Sequence, residues 1–279
     1  MSSCPLPPHA RITSQKVSQR NNILKNLTGA TWGCCKEVLL QTYKAIGRSV
    51  LNYGAPIWSP LLSNTQWQGL QARQNQALRT STGCLLMTSI PHLHHEAEMM
   101  EVRPHNELLS VQFYLGAHLP ERPDHHTTNR PPPKQRTIKE TLWGKYRDDV
   151  EHLVFDGLNP VTYREALRSL HLTAVEEAIS QYTPPLWPNN GHPDISEEER
   201  ELPRETRTAL AQLRSGYSRL LNSYLSRLDP DIKNICPDCS ATPHDTIHLF
   251  NCRKKKVKVG VESLWTDPVQ AAKELGLRV

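Results

Sequence analysis

Residues 20–58 read RNNILKNLTGATWGCCKEVLLQTYKAIGRSVLNYGAPIW, and their apolar spacing decides the class of fold. Ile23, Leu24 and Leu27 continue a pattern that begins at Ile12 and Val17 and fits one face of an amphipathic helix, which Thr28-Gly29 stops. From about Cys35 to Leu51, Val38, Leu39, Tyr43, Ile46 and Val50 mark one face of a second helix. Two prolines and a glycine in YGAPIWSP break it, after which Asn64 or Thr65 caps a third helix carrying Trp67, Leu70, Gln74, Ala77 and Leu78. Further helices are expected at 91–102, at 104–119 with His105 and Asn106 exposed in the first turn after Pro104, at 137–154 and at 160–181. A long helix is expected from Arg204 to Leu228, with Leu210, Leu213, Tyr217, Leu220, Leu221 and Leu225 as its stripe. No run alternates with a period of two, so the fold class is mainly α.

Composition divides the chain. With 22 prolines, 37% hydrophobic and 6% aromatic residues, 279 residues suit helical pieces joined by loose connections better than one large core. PERPDHHTTNRPPPKQR, within 120–136, holds almost nothing apolar and reads as a Pro-rich linker, and 183–203 reads as a second, Pro-rich and acidic one. The expected organisation is a helical domain at 9–119, the linker at 120–136, a helical segment at 137–182, the linker at 183–203, and a C-terminal helix with a small tail module at 204–279. Seven cysteines without a paired framework, no leader and no long apolar run point to a reducing intracellular setting, nucleus or cytoplasm, and to no membrane partner.

Three of those cysteines fall in ICPDCSATPHDTIHLFNC, residues 235–252. Cys236 and Cys239 enclose Pro237-Asp238, a spacing and a turn that aim two thiolates at one ion. If DTIHLFNC opens a helix, His248 and Cys252 stand at i and i+4 on one face, and four ligands converge. His244 is the rival nitrogen ligand, but His248 shares the register of Cys252. A closed Cys3His set binds zinc structurally, leaving no open position for a substrate. The bland alternative is a group of ordinary reduced cysteines. Arg253, Lys254, Lys255, Lys256 and Lys258 follow directly and read equally as a solvated face, an import signal or a phosphate-binding patch.

Catalytic signatures are missing. Tyr146, Arg147, Asp148 and Asp149 imitate the aspartate box of polymerases, yet Leu142, Tyr146, Val150, Leu153 and Val154 recur at helical spacing, which puts the pair on a solvated helix face. His94, His95 and Glu96 lack metalloprotease spacing and read as a polar helix start. Nothing suggests a small-molecule substrate. Trp32, Trp58 and Trp67 read as core aromatics, with stacking on bases the lesser alternative.

Beyond these residue-level readings, the chain resembles the part of Jockey-like, LINE-type non-LTR retrotransposon reverse transcriptases that follows the catalytic palm. In residues 20–58, Leu27, Gly29, Trp32, Gly33, Leu39, Tyr43, Leu51, Tyr53, Gly54 and Trp58 fall on the family pattern, and LQARQNQALRTSTGC (70–84) takes the place of its next helix. LAQLRSGYSRLLNSYLSRLDPDIKNICPDCSATPHDTIHLFNC (210–252) is similar to the family's Cys/His tail, and LWTDPVQAAKELGL to its end. The resemblance implies a helical thumb holding a template-primer duplex and a zinc-bearing tail binding RNA or DNA. The palm that would make the chain an RNA-directed DNA polymerase has no counterpart here, so the expected role is a non-catalytic remnant. Part of a polymerase named for the family activity, or a domesticated structural or protein-binding fragment, is the alternative. Arg11, Lys16, Arg20 and Lys25 on the first helix are further candidates for following a phosphate backbone.

Overall fold

The computed structural model describes residues 6–29, 32–117 and 160–279. Its elements are α1 (Leu6–Leu27), α2 (Lys36–Tyr43), a π turn (Lys44–Arg48), α3 (Ser49–Asn52), α4 (Ala55–Trp58), α5 (Asn64–Thr82), α6 (Ile90–Glu96), α7 (Val102–Ala117) and α8 (Pro160–Ser180). There follow α9 (Arg204–Arg214), α10 (Asn222–Leu225), α11 (Thr246–Asn251), α12 (Ser263–Thr266) and α13 (Pro268–Glu274), with 3-10 turns at Ser59–Leu61 and Glu197–Glu201. The fold is mainly α: among the described residues one isolated bridge, Thr28 with Gly33, is the extent of β pairing. The expected linker at 120–136, the helix at 137–154 and the Tyr146–Asp149 box lie outside the described residues. Among the described residues no helix is long and apolar enough to cross a membrane.

Two compact units form, each from three stretches of chain. The first lies within Met1–Arg20, Lys44–Gln74 and Met100–Ala178. Its core holds Val17, Leu51, Ala55, Trp58, Trp67, Leu70 and Val102, with the Trp58 and Trp67 rings 6.2 Å apart. Trp58 also donates from Nε1 to the Tyr53 carbonyl at 2.8 Å, so both tryptophans are core aromatics as expected. Arg48 is buried, and one guanidinium nitrogen donates to the Met100 carbonyl at 3.0 Å. α7 starts at Val102 rather than Pro104, because Gln71 Oε1 accepts from the Val102 amide. The earlier start turns His105 and Asn106 inward, where Asn106 donates to the Leu51 carbonyl and Asn52 Nδ2 to His105 Nε2, so neither is exposed.

The second unit lies within Asn21–Tyr43, Asn75–Met99 and Ile179–Val279. One apolar cluster joins Leu24, Leu39, Tyr43, Leu78, Leu93, Met99 and Ala211; another gathers Leu210, Leu213, Leu221, Leu249, Phe250, Leu264 and Trp265. α9 supplies residues to both, which explains why its apolar stripe is broad. The helix expected over 204–228 ends at Arg214. Gly216 takes φ 74°, its amide donates to Leu213, and the Tyr217 amide reaches back to Gln212, a Schellman stop that the apolar stripe did not reveal. Only the turn at α10 resumes the helix.

Three other local readings change. Trp32 is 60% exposed rather than buried; its carbonyl accepts from the Gly29 amide while the ring stays outside. His94, His95 and Glu96 occupy the last turn of α6, not its start, since Ser89 caps the helix by accepting from the His92 amide; all three are buried. Residues 183–203 contain little helix yet are packed: the Trp187 ring stands 5.5 Å from Trp265, the Ser196 amide donates to the Trp265 carbonyl, and Leu202 is buried.

Candidate metal centre

The Cys/His cluster is assembled by a turn and a short helix. Cys236-Pro237-Asp238-Cys239 closes on itself through hydrogen bonds from the Ser240 amide to the Cys236 carbonyl and from the Cys236 amide to the Ala241 carbonyl. α11 is capped by Asp245, whose Oδ1 accepts from the His248 amide at 2.8 Å and fixes the first turn that carries the imidazole. Leu249 and Phe250, on the same helix, sink into the second apolar cluster, and Thr246 Oγ1 donates to the Leu213 carbonyl at 3.2 Å. Packing therefore leaves the His248 and Cys252 side pointing at the cysteine turn.

Cys236 Sγ, Cys239 Sγ, Cys252 Sγ and a His248 ring nitrogen all lie within 4.8 Å of one another. Cys236 and Cys252 are 3.9 Å apart, too far for a disulfide and near the edge of about 3.8 Å expected for two sulfurs on a tetrahedral zinc. Cys239 Sγ and His248 Nε2 stand 3.2 Å apart. These four residues form a site that could hold a metal ion, and three sulfurs with one imidazole suit zinc. The amides of Lys254 and Lys255, against a smaller opposing effect of burial, bring the Cys252 thiol down to about 7. At Cys239 the Ala241 amide pulls the thiol down, but burial and the neighbouring thiols outweigh it and the net direction is up. Cys252 is thus the readier thiolate.

His244 is committed elsewhere. Its Nδ1 accepts from the Asn222 amide at 3.0 Å, its carbonyl accepts from the Ser223 amide, and its own amide donates to Asn234. It ties the cysteine module to α10, and burial lowers its imidazole.

The basic run forms a turn leaving Cys252. Arg253, Lys254, Lys255, Lys256 and Lys258 are all exposed, Lys256 at φ 51°. Lys255 Nζ reaches Asp238 at 3.9 Å, and the Lys258 amide donates to Glu274. Val257, Val259 and Val261 pack against the apolar cluster while the residues between them face out. On α1, Arg11, Lys16, Arg20 and Lys25 are exposed. At about 100° per residue they do not form one stripe: Arg11 and Lys25 flank the buried face of Val17 and Leu24 on one side, Lys16 and Arg20 on the other. Arg20 also donates to the Ile46 carbonyl.

A second polar constellation had no sequence signal. Arg214, fully buried, donates to Glu96 at 2.9 and 2.7 Å, to Glu199 at 2.7 and 3.2 Å, and to the Leu264 carbonyl at 2.7 Å. Lys36 Nζ approaches Glu96 at 3.4 Å and Glu199 at 3.7 Å, and Arg207 pairs with Glu37. Burial raises the Glu96 carboxyl, but Arg214 and Lys36 more than offset it and hold it well below the usual range. Beside it His92 and His95, with Tyr182 and His192, form a packed aromatic group; burial pushes the two imidazoles down to about 4 and about 3.

Compared with known proteins, the chain matches no family model, and neither curated sequences nor solved structures give a match.

Proposed function

We propose that Cys236, Cys239, His248 and Cys252 hold one structural zinc ion, and that the zinc-bearing tail binds RNA or DNA as a non-catalytic part of a retrotransposon-type reverse transcriptase. The observation that carries the reading is the convergence of four ligand atoms within 4.8 Å immediately before a turn of exposed cations. With all four positions filled by protein, the ion serves folding: it orders the 236–252 loop and so fixes where Arg253, Lys254 and Lys256 stand. Fixed cations lose less side-chain and backbone freedom on meeting a phosphate than cations on a loose tail, which favours an anionic strand as partner.

Two measurements test the two halves separately. Elemental analysis of protein purified without added metal should give one zinc per chain, and Cys236→Ser should abolish it; unchanged zinc in that variant removes the site. A fluorescent RNA hairpin and a nicked DNA duplex, titrated at two salt concentrations, should each bind more weakly as salt rises. No binding at the lower salt would reject the nucleic-acid half while leaving the zinc half standing.

A further inference from the structure

In the first unit, α7 and α8 border a cleft of about 470 Å³ whose lining includes two arginines and two histidines. Arg164, Arg168 and His171 recur at i, i+4 and i+7 on α8, so one face of that helix carries them all into the lining. Among the described residues no carboxylate pairs with either arginine, whereas Arg103 on α7 is paired with Glu107 of its own helix. Opposite stand His105 and Gln112 of α7.

The histidines add donors, not charge. Their rings meet edge to face at 5.3 Å, and burial together with the nearby Arg48 lowers both, His105 to about 2. His105 is therefore neutral, and because Asn52 Nδ2 donates to its Nε2 at 3.2 Å, the ring proton sits on Nδ1. That nitrogen, in a side chain more than nine-tenths buried, has no hydrogen-bond partner, and neither has His171 Nδ1. Leu109 and Leu167 supply an apolar wall.

We propose that this cleft binds a phosphate group carried on an organic body, gripped by the guanidinium forks of Arg164 and Arg168. Two unneutralised forks match a phosphate's charge and its several oxygens, whereas one fork would satisfy a carboxylate. The volume exceeds that of a bare phosphate, and the leucine wall can take a sugar or a base beside it. A free mononucleotide and an internal phosphate of a nucleic-acid strand share this chemistry. The inference stands independently of the zinc reading, since it uses no residue of the cysteine module.

The test is calorimetric titration of the full chain with uridine monophosphate and, separately, with a uridine hexanucleotide. Binding in the first arm alone assigns a free nucleotide, binding of the hexamer alone assigns a strand, and either supports the cleft when the double arginine variant weakens it. Arg164→Gln/Arg168→Gln should weaken that binding at least tenfold with unchanged circular dichroism, and the double lysine variant should weaken it too because the fork is lost. The part of the binding that depends on Arg164 and Arg168 should survive in Cys236→Ser, whereas binding through the tail should not, which separates this site from the zinc module. Binding in neither arm, or a glutamine variant that binds as tightly as the parent, overturns the proposal.

Discussion

Two polar clusters of the second unit invite comparison. Around Arg214 the protein supplies both signs of charge: arginines and a lysine face Glu96, Glu199 and Glu37 at hydrogen-bonding distance. Around Cys236 it supplies donors of one kind, three sulfurs and an imidazole directed at a common point. The first is held by groups the chain itself provides, whereas the second is stable with ionised thiols only if a cation joins it. Self-sufficient and ion-dependent clusters should therefore fail under different treatments.

Removing the metal proposed for the cysteine cluster should give the largest effect and the most local one. Structural zinc contributes about 10–16 kcal/mol of apparent binding free energy in small fingers. A strong chelator, or Cys236→Ser, should abolish amide-exchange protection from 235 to 252 while α5 and α6 keep theirs; equal loss in both places would erase the distinction. Arg214→Ala should act the other way, destabilising the whole unit by about 3–5 kcal/mol in urea unfolding because Glu96 and Glu199 are left buried without a partner. Zinc content per folded chain should not change.

Acid should find the charge-paired cluster first. His92 and His95 are lowered in the folded protein, so the unfolded chain binds their protons more readily and stability falls as pH drops below about 6.5. Glu96 and Glu37 are lowered too; their contribution is present above about 4.5 and is lost as pH falls toward 2. The expected profile of urea midpoints against pH declines in two stages, totalling roughly a few kcal/mol, and His95→Phe should flatten the upper one. Smallest is the cap: Asp245→Ala should cost about 1 kcal/mol, read as a lower zinc affinity in competition with a chromophoric chelator, because that cap sets the turn bearing His248.

The same pair shows what a sequence discloses. Cys236 and Cys239, like His248 and Cys252, lie within one turn of each other, so spacing alone places their side chains on a common side. Arg214 and Glu96 are 118 residues apart, and no local rule pairs them. Helices were legible wherever an apolar face recurred, as over α1, α5 and α8. The stop at Arg214 was not, because Leu220, Leu221 and Leu225 prolong the apolar pattern past Gly216, and the backbone reversal overrides it. Packing of 183–203 was hidden for a related reason: Trp187 and Ile195 are anchored by partners far along the chain, while the local prolines announce only the lack of helix.

The turn of Lys254, Lys255 and Lys256 runs between Cys252, one of the four candidate metal ligands, and Val257, Val259 and Val261, which pack against the apolar cluster. A protease must draw several residues of extended chain into its cleft before it can cut. With a zinc ion on Cys252 both ends would be held, so this lysine-rich turn should resist trypsin despite its exposure, and release of the ion should turn it into the preferred point of cleavage.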